Sequence, residues 1–299
     1  MNQQSNAMQM NPTVSTTVQA APRAGGPLAG RIARVLMMIV IVALMVLPFL
    51  WMLSTSLKSQ QYILQTTPQL IPNPLTFESY TGLAERIDLG RTFFNSLFVA
   101  VVGTAGQIVI SSMSAYAFAR LQWQGRNAVF LLYLMTMMIP AVVMVIPQFI
   151  LVRSLGWMNS YAALIVPGLF SAFGTFLLRQ AFMGIPKDFE EAAFVDGANH
   201  FTIFWRIIMP LSTPSLATLG VFSFMGYWNN YLYPLFVARQ EDVVTLPIAL
   251  ATLQAGPRAL TEWNMVMAGA VITVLPILVA YLLAQRWFVS GAISSGIKG

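Results

Sequence analysis

Four acidic side chains are concentrated in residues 186–210, a stretch that separates two long apolar segments of the chain. They are Asp188, Glu190, Glu191 and Asp196. Carboxylates can pair with basic side chains of another protein, and they can cap a helix by accepting hydrogen bonds from its first backbone amides. The stretch therefore forms an acidic contact surface, a capped helix start, or both. A solvated loop that only links two apolar segments is the remaining alternative.

The order of residues in this stretch predicts a short helix, a break and a second helix. Asp188 followed three positions later by Glu191 is a capping-box pattern, which satisfies the free amides of a helix start. Gly197 can adopt a positive φ and end that helix. Asn199 is then placed to cap a second helix that runs towards Pro210. Because the first helix is too short to be stable alone, we expect it to dock against another surface.

The composition is that of an integral membrane protein. Of the 299 residues, 57% are hydrophobic and 9% are charged, the mean hydropathy is +0.69, and soluble domains carry about 25% charged residues. There is no Cys and a single His, His200, which excludes disulfides, thiol nucleophiles and His-based metal clusters. No paired carboxylates or Ser/His pair lies in an apolar segment, so an intramembrane enzyme is disfavoured. The net charge of +6 is interpreted as membrane topology rather than nucleic-acid binding.

The apolar segments predict an all-α fold with six transmembrane spans, at about residues 35–53, 92–119, 127–152, 160–178, 207–237 and 263–284. Pro140 and Pro147 are expected to kink the third span. Residues 1–30 lack periodicity and are predicted to be a disordered tail, and residues 31–299 form one membrane domain. Six spans place both termini and the acidic stretch on one side of the bilayer. More Lys and Arg residues lie on that side, which makes it the cytoplasmic side.

The six predicted spans contain no Asp, Glu, His, Lys or Arg in their interiors. Carriers driven by protons usually need an ionisable group near the middle of the membrane, so a proton-coupled carrier is disfavoured, and a sodium-coupled carrier less strongly. The sequence also lacks the G-x-x-x-x-G-K-[ST] motif that binds nucleotide phosphates. If transport is active, its energy is therefore expected to enter through a partner at the cytoplasmic surface, with residues 186–206 as the contact segment.

Three parts of this segment together resemble a known motif. Glu191-Ala192-Ala193 is followed after three residues by Gly197 and, after nine more, by Ile207-Ile208-Met209-Pro210. This order resembles the E-A-A-x3-G-x9-I-x-L-P motif of ABC importer permeases and departs from it only at Met209, where Leu is usual. The resemblance implies that the segment is a coupling helix, which lies in a groove of a separate ATPase subunit. The residues assigned to this coupling are Glu190, Glu191, Ala192, Ala193, Asp196 and Gly197.

Other stretches resemble carbohydrate-importer permeases of the maltose-transporter subfamily. They include Leu47-Pro48-Phe49-Leu50-Trp51, Asn95-Ser96-Leu97 and residues 115–120 and 285–289. The resemblance implies a type I importer permease fold in the bacterial inner membrane, which transports by alternating access. It also implies a heterodimer with a second permease, two ATPase subunits that bind ATP and Mg²⁺, and an external solute-binding protein. The chain itself is then expected to be no enzyme, to hold no metal or cofactor, and to bind no nucleic acid.

Candidate solute contacts are Tyr227, Trp228, Asn229 and Asn230, in the second half of the fifth span. Sugars stack on aromatic rings and form hydrogen bonds with amides, and a neutral path suits them. A belt of Trp and Tyr at the external interface is the alternative. Many carbohydrate-importer permeases carry an acid at the position of Asn230, so their solute contacts do not transfer simply. The predicted function is import of a sugar or oligosaccharide; a glycerol-phosphate or polyol importer and, more distantly, an ion-coupled carrier remain alternatives.

Overall fold

The computed structural model describes residues 28–63, 69–254 and 262–296, and regular structure in these ranges is helical. The predicted tail, residues 1–30, lies outside them except for its last three residues, which begin the first helix. The helices along the described chain are α1 (Leu28–Ser56), α2 (Glu78–Arg86), α3 (Leu89–Ala119), α4 (Arg126–Met135), α5 (Ala141–Ser154), α6 (Tyr161–Ile165), α7 (Ala172–Met183), α8 (Asp188–Val195), α9 (His200–Ile203), α10 (Met209–Leu211), α11 (Thr213–Trp228), α12 (Leu232–Val237), α13 (Leu246–Thr252) and α14 (Trp263–Gly296).

Three of these helices, α1, α3 and α14, are long and apolar enough to cross a membrane without interruption. Their apolar parts, Gly30–Ser56, Leu89–Ala119 and Trp263–Trp287, contain 27, 31 and 25 residues, and a span needs about 20. They cover the predicted first, second and sixth spans. The described residues divide into two compact units between Phe49 and Leu50, inside α1. All residues with a predicted function belong to the second unit.

The other spans are bent pairs of helices. The pairs are Arg126–Met138 with Ala141–Ser154, Tyr161–Gly168 with Ala172–Met183, and His200–Leu211 with Thr213–Trp228, bent by 102°, 45° and 80°. In the first pair the break lies at Pro140, which has no amide to continue a helix. Pro147, the second predicted kink, instead lies inside α5. With each bent pair counted as one span, the described chain has up to six spans.

The fifth span, predicted over residues 207–237, differs most from the prediction. Its first residues continue the helix that starts at His200, and the chain turns by 80° at Ser212 before α11 begins. Pro210 and Pro214 stand on either side of this turn, and each removes an amide that a continuous helix would need. A second break separates α11 from α12. The apolar run is therefore continuous in the sequence but not in the backbone.

Helix α3 packs against both α7 and α11. Small side chains let these backbones approach closely, since a Cβ on Gly174 of α7 would lie 2.7 Å from Ser111 Oγ. Ser111 and Ala115 of α3 are fully buried. Small residues are usual at such contacts, because lipid gives apolar helices little reason to associate other than close packing. α3 therefore packs against the helix that precedes the acidic segment and against the helix that carries the candidate solute residues.

The predicted second external loop, residues 238–262, contains a helix. α13 packs against α3 and α14, and Leu246 in its first turn is fully buried. The Asn95 side chain of α3 holds the approach to α13 by donating to the backbone oxygens of Asp242 at 3.0 Å and Val244 at 2.9 Å. These bonds satisfy backbone groups that the segment leaves outside its own helix.

Candidate coupling segment and transport cavity

Helix α8 forms the first arm of the predicted helix-break-helix segment. The capping-box prediction is wrong, because the cap position is Lys187, which is itself helical at φ −68° and ψ −23°, and Asp188 is the first residue of the helix. The backbone oxygen of Lys187 accepts the amides of Glu190 at 2.8 Å and Glu191 at 3.0 Å. The helix thus begins one residue earlier than the side-chain pattern predicted. Its first turn holds three acids, which interact favourably with the positive end of the helix dipole.

The break after α8 is the one that the sequence predicts. Gly197 has a φ of +80°, a region that other residues rarely adopt. Its amide donates to the Phe194 oxygen at 3.0 Å, and the Ala198 amide donates to the Ala193 oxygen at 2.9 Å, which is the Schellman arrangement of a helix end. Asn199 Oδ1 then accepts a backbone amide at 2.8 Å and caps α9. The predicted glycine break and Asn cap are confirmed.

The second arm runs through α9, a π-helical turn at Phe204–Ile208 and α10, as far as Leu211. Its inner face carries three buried apolar side chains, Ile203, Phe204 and Ile208. They form one cluster with buried side chains of α3 and α7, which are Ala115, Tyr116, Leu178 and Phe182. The second arm is therefore packed onto two membrane helices, and its predicted course towards Pro210 is confirmed.

Glu190, one of the predicted coupling residues, points into the protein. Its Oε1 lies 2.8 Å from Nε of Arg120, the residue that follows α3, and the side chains of Arg120 and Glu190 are only 5% and 9% exposed. Arg120 also donates through Nη2 to the backbone oxygens of Phe182 at 2.6 Å and Ile185 at 2.7 Å. The buried Glu190 carboxylate needs the Arg120 guanidinium as a partner, because removing an unpaired charge from water costs on the order of several kcal/mol.

The other predicted coupling residues lie at or near the surface. Glu191, Ala192, Asp196 and Gly197 are exposed, and Ala193 is half-buried. Large apolar side chains are exposed beside them: Phe189, Phe194, Val195 and Phe201. An apolar patch among acids is typical of a protein contact surface. Sequence analysis assigned acids, alanines and Gly197 to the coupling contact and did not include Val195 or Phe201.

A cavity of about 670 Å³ opens beside α11 and is lined by the bent third and fourth spans. A second cavity of about 200 Å³ shares Gly168, Phe173, Tyr227 and Asn230 with it. The amides of Gln107, Gln148 and Asn230 line these cavities. Among the described residues that form the two linings, none is charged. Sequence analysis missed the two glutamines, and the available signal was an isolated amide within an apolar span.

Only Tyr227 and Asn230 of the four candidate solute residues reach these cavities. Trp228 is buried, and its Nε1 donates to the Thr273 oxygen of α14 at 3.0 Å. Asn229 lines a separate cavity between α13 and α14. Trp228 therefore lies against α14 and lines neither of these cavities, so its role as a solute contact or in an interfacial belt stays a prediction that this position does not favour. The reason is helical phase, since successive residues point about 100° apart and Trp228 falls on the packed face of α11.

Comparison with known proteins extends these findings. Residues 107–293 match the family model described as binding-protein-dependent transport system inner membrane component. The chain is 35% identical to the arabinooligosaccharides transport system permease protein of Halalkalibacterium halodurans, over 85% of this chain and 91% of the relative. It is also 35% identical to the sn-glycerol-3-phosphate transport system permease protein of Yersinia enterocolitica, over 87% of this chain and 94% of the relative.

The fold is also similar to that of a solved chain. That chain belongs to a bacterial ABC transporter involved in the import of the acidic polysaccharide alginate. The TM-score is 0.77 at 25% identity, and the match covers 87% of this chain and 96% of the other. A further alginate ABC transporter chain, solved in complex with an alginate pentasaccharide-bound periplasmic protein, shares the fold with a TM-score of 0.61 at 17% identity.

Proposed function

Since the chain belongs to the family of binding-protein-dependent transport system inner membrane components, we propose that it is the permease subunit of an ATP-binding-cassette importer for a sugar or oligosaccharide. The chain is a transport permease subunit and not an enzyme, and ATP is hydrolysed on partner subunits that bind ATP and Mg²⁺. Transport proceeds by alternating access, in which the spans expose the solute path first to one side of the membrane and then to the other.

The uncharged lining of the two cavities carries the proposal of a neutral solute. Sequence identity alone does not distinguish a sugar from a glycerol phosphate as the solute, because the relatives named for arabinooligosaccharides and for sn-glycerol-3-phosphate are both 35% identical to the chain. A phosphate is usually bound by Arg, Lys or a helix amino terminus. The amides of Gln107, Gln148 and Asn230 instead offer both donors and acceptors, which suits sugar hydroxyls.

The outward face of α8 supports the proposed contact with an ATPase. Glu191 and Asp196 offer charges to basic side chains of a partner, and Phe189 and Val195 are exposed around them. Such a face has little reason to be apolar unless it is covered in the assembled protein. We therefore assign Glu191, Ala192, Ala193, Asp196 and Gly197 to the ATPase contact or its backbone, and Glu190 to its anchorage inside this chain.

The proposed assembly contains a second permease, two ATPase subunits and an external solute-binding protein. The chain lies in the bacterial inner membrane, with both termini in the cytoplasm. The placement of Lys and Arg supports this orientation, which puts α8 on the same side as the proposed ATPases.

Reconstitution tests the proposal. The transporter, co-purified with its partner subunits, is placed in proteoliposomes with ATP inside, where inside corresponds to the cytoplasm, and the solute-binding protein outside. Uptake of labelled arabinotriose, maltotriose and glycerol 3-phosphate is then measured. We expect the full transporter to accumulate at least one of the two sugars, and only when ATP is present. The isolated chain should accumulate neither sugar.

Two results contradict the proposal in different ways. Accumulation by the isolated chain along an ion gradient without ATP would indicate an ion-coupled carrier. Uptake of glycerol 3-phosphate with no uptake of either sugar would retain the ATP-driven importer and replace its solute.

A further inference from the structure

Two side chains one helical turn apart, at the cytoplasmic end of α3, contact the two arms of the coupling segment separately. Arg120 Nε lies 2.8 Å from Glu190 Oε1 of α8. Tyr116 Oη lies 3.2 Å from Nδ1 of His200, the first residue of α9. Residues four apart lie on the same face of a helix. One face of α3 therefore holds the segment on both sides of the break at Gly197.

Arg120 also connects α3 and α8 to the end of α7. Its guanidinium donates to the backbone oxygens of Phe182 in α7 and of Ile185 just after it. Both oxygens lie where α7 ends and carbonyls lack the amides of a following helical turn, and the Phe182 oxygen also accepts the Ile185 amide at 3.1 Å. The planar guanidinium is suited to bridging several acceptors in fixed directions, which an ammonium does less well. Arg120 thus joins the ends of α3 and α7 to the start of the coupling segment.

The contact through Tyr116 is mainly one of packing. Its ring lies edge-on to Phe204 with centroids 5.3 Å apart, and both side chains are buried. Edge-on aromatic pairs contribute about 0.5–1.5 kcal/mol beyond their buried area. The second arm is therefore held by an apolar cluster, whereas α8 is held to α3 by a charge pair.

From this arrangement we infer that Arg120 is a positioning residue that fixes the coupling segment to α3, so that α8 and the cytoplasmic end of α3 move as one body. The inference rests on the proposed function, since the motion is supplied by the ATPase subunits. Helix α3 transmits that motion along its length to the cavity, because Gly103 of the same helix lies against the ring of Tyr227. Arg120 lines neither cavity of the proposed solute path and acts through Glu190.

Distance measurement between spin labels tests this rigid connection. The chain contains no Cys, so Met113→Cys on the exposed face of α3 and Asp188→Cys at the exposed start of α8 can be labelled in a transporter with cysteine-free partner subunits. In the otherwise wild-type chain we expect the same distance distribution without nucleotide and with ATP and vanadate. A nucleotide-dependent change in this pair would overturn the inference at once.

The main variant replaces the charge pair by an apolar pair, R120M/E190M, because removing both charges leaves no lone buried charge. We expect the labelled distance to change or broaden with ATP and vanadate, and the solute taken up per ATP hydrolysed to fall about threefold or more. The control is Arg126→Met. Arg126 lines the same cytoplasmic cavity as Arg120 and Glu190, but its guanidinium donates to the Leu121 oxygen.

The outcomes separate this inference from the proposed function. If R120M/E190M keeps both the fixed distance and the wild-type uptake per ATP, the pair has no positioning role. If the double variant does not assemble with its partners, Glu190→Gln is measured in the same way, and wild-type values in both readouts overturn the inference. Absence of ATP-driven uptake by the unlabelled wild type would instead contradict the proposed function, and the spin-label distances do not depend on solute identity.

Discussion

The ring of Tyr227 occupies the space where a side chain on Gly103 would stand. A Cβ built on Gly103 would lie 2.6 Å from Cζ of that ring, and a Cβ on Gly168 would lie 2.5 Å from its Oη. The Tyr227 hydroxyl donates to the Ile165 oxygen at 3.0 Å. Two glycines from different spans therefore fix one aromatic wall of the cavity.

Gly103→Ala should impair transport through Tyr227. The added methyl group pushes the ring aside or separates α3 from α11, and overpacking of this kind costs about 1–3 kcal/mol. We expect kcat/KM for solute uptake to fall about tenfold. The matched control is Gly220→Ala in α11, which lines neither cavity and where the new Cβ would meet Ile108 Cδ1 of α3 at 3.5 Å, an ordinary van der Waals distance. Equal uptake by the two variants would contradict the role given to the glycines.

Trp228→Phe should lower stability without changing the apparent KM for solute. The ring volume is largely kept, but the bond from Nε1 to the Thr273 oxygen is lost, which costs about 1 kcal/mol. Trp228→Ala also removes the buried ring and should cost about 3–5 kcal/mol. Thermal unfolding of the purified transporter measures both losses. A raised KM in Trp228→Phe at unchanged stability would place the indole in contact with solute.

Asn230→Ala should raise the KM for solute without lowering stability. Its amide lines both cavities, and loss of one hydrogen bond to a sugar hydroxyl is worth about 0.5–1.5 kcal/mol, so KM should rise up to about tenfold. Asn229→Ala is the control, because that exposed side chain lines a separate cavity. Binding-protein-dependent uptake at varied solute concentration gives both KM values. A change of similar size in Asn229→Ala would argue against a path on the Asn230 side.

The sequence predicted those features of the fold that depend on residues adjacent to one another in the chain. The break at Gly197 and the cap at Asn199 follow from the conformational freedom of one residue and the side-chain oxygen of another, and both are present. Long apolar runs likewise indicated a membrane protein. The 80° turn at Ser212 was missed, because hydropathy does not register the two prolines that flank an apolar turn.

Contacts between residues distant in the sequence were beyond such reasoning. Glu190 was assigned with Glu191 to a partner surface, yet its carboxylate is paired with Arg120, which directly follows an earlier span. Tyr227 and Trp228 were grouped because they are adjacent, and the helix turns them to different faces. The sequence predicts which face of a helix is buried only where one face is polar and the other apolar. Helix α11 is apolar on nearly all sides, so its buried face could not be predicted in this way.

Asn95→Asp should destabilise the segment that leads into α13 more than Asn95→Ala, although Asp has nearly the shape of Asn. The buried amide donates to the oxygens of Asp242 and Val244, and a carboxylate would place negative charge against both. Loss of the two bonds costs about 1–3 kcal/mol, and a buried negative charge with the Tyr161 hydroxyl as its donor but no cationic partner adds to it. Hydrogen exchange of residues 242–252 measures the loss. Protection should partly return at acid pH, because the introduced carboxyl group can donate once when it is protonated; a variant as protected as the wild type at neutral pH would contradict this role.

Gly197→Ala should weaken coupling through backbone strain alone. Nothing lies within 4 Å of a Cβ at Gly197, but its φ of +80° costs a residue with a side chain about 1–2 kcal/mol. The strain is relieved if α8 turns away from α9, so we expect ATPase stimulation by the solute-binding protein to fall several-fold. Gly197→Asn should fall less, because Asn tolerates this conformation better.

Gly125→Ala is the matched control for this experiment. Gly125 also has a φ of +80° and free space around its Cβ, but it lies between α3 and α4, outside the coupling segment. Both alanine variants should lose similar stability in thermal unfolding, and only Gly197→Ala should lose stimulated ATPase activity and ATP-dependent uptake. Equal loss of activity in the two variants would mean that the effect is general destabilisation, and full activity in both would mean that the geometry of the break does not carry the coupling.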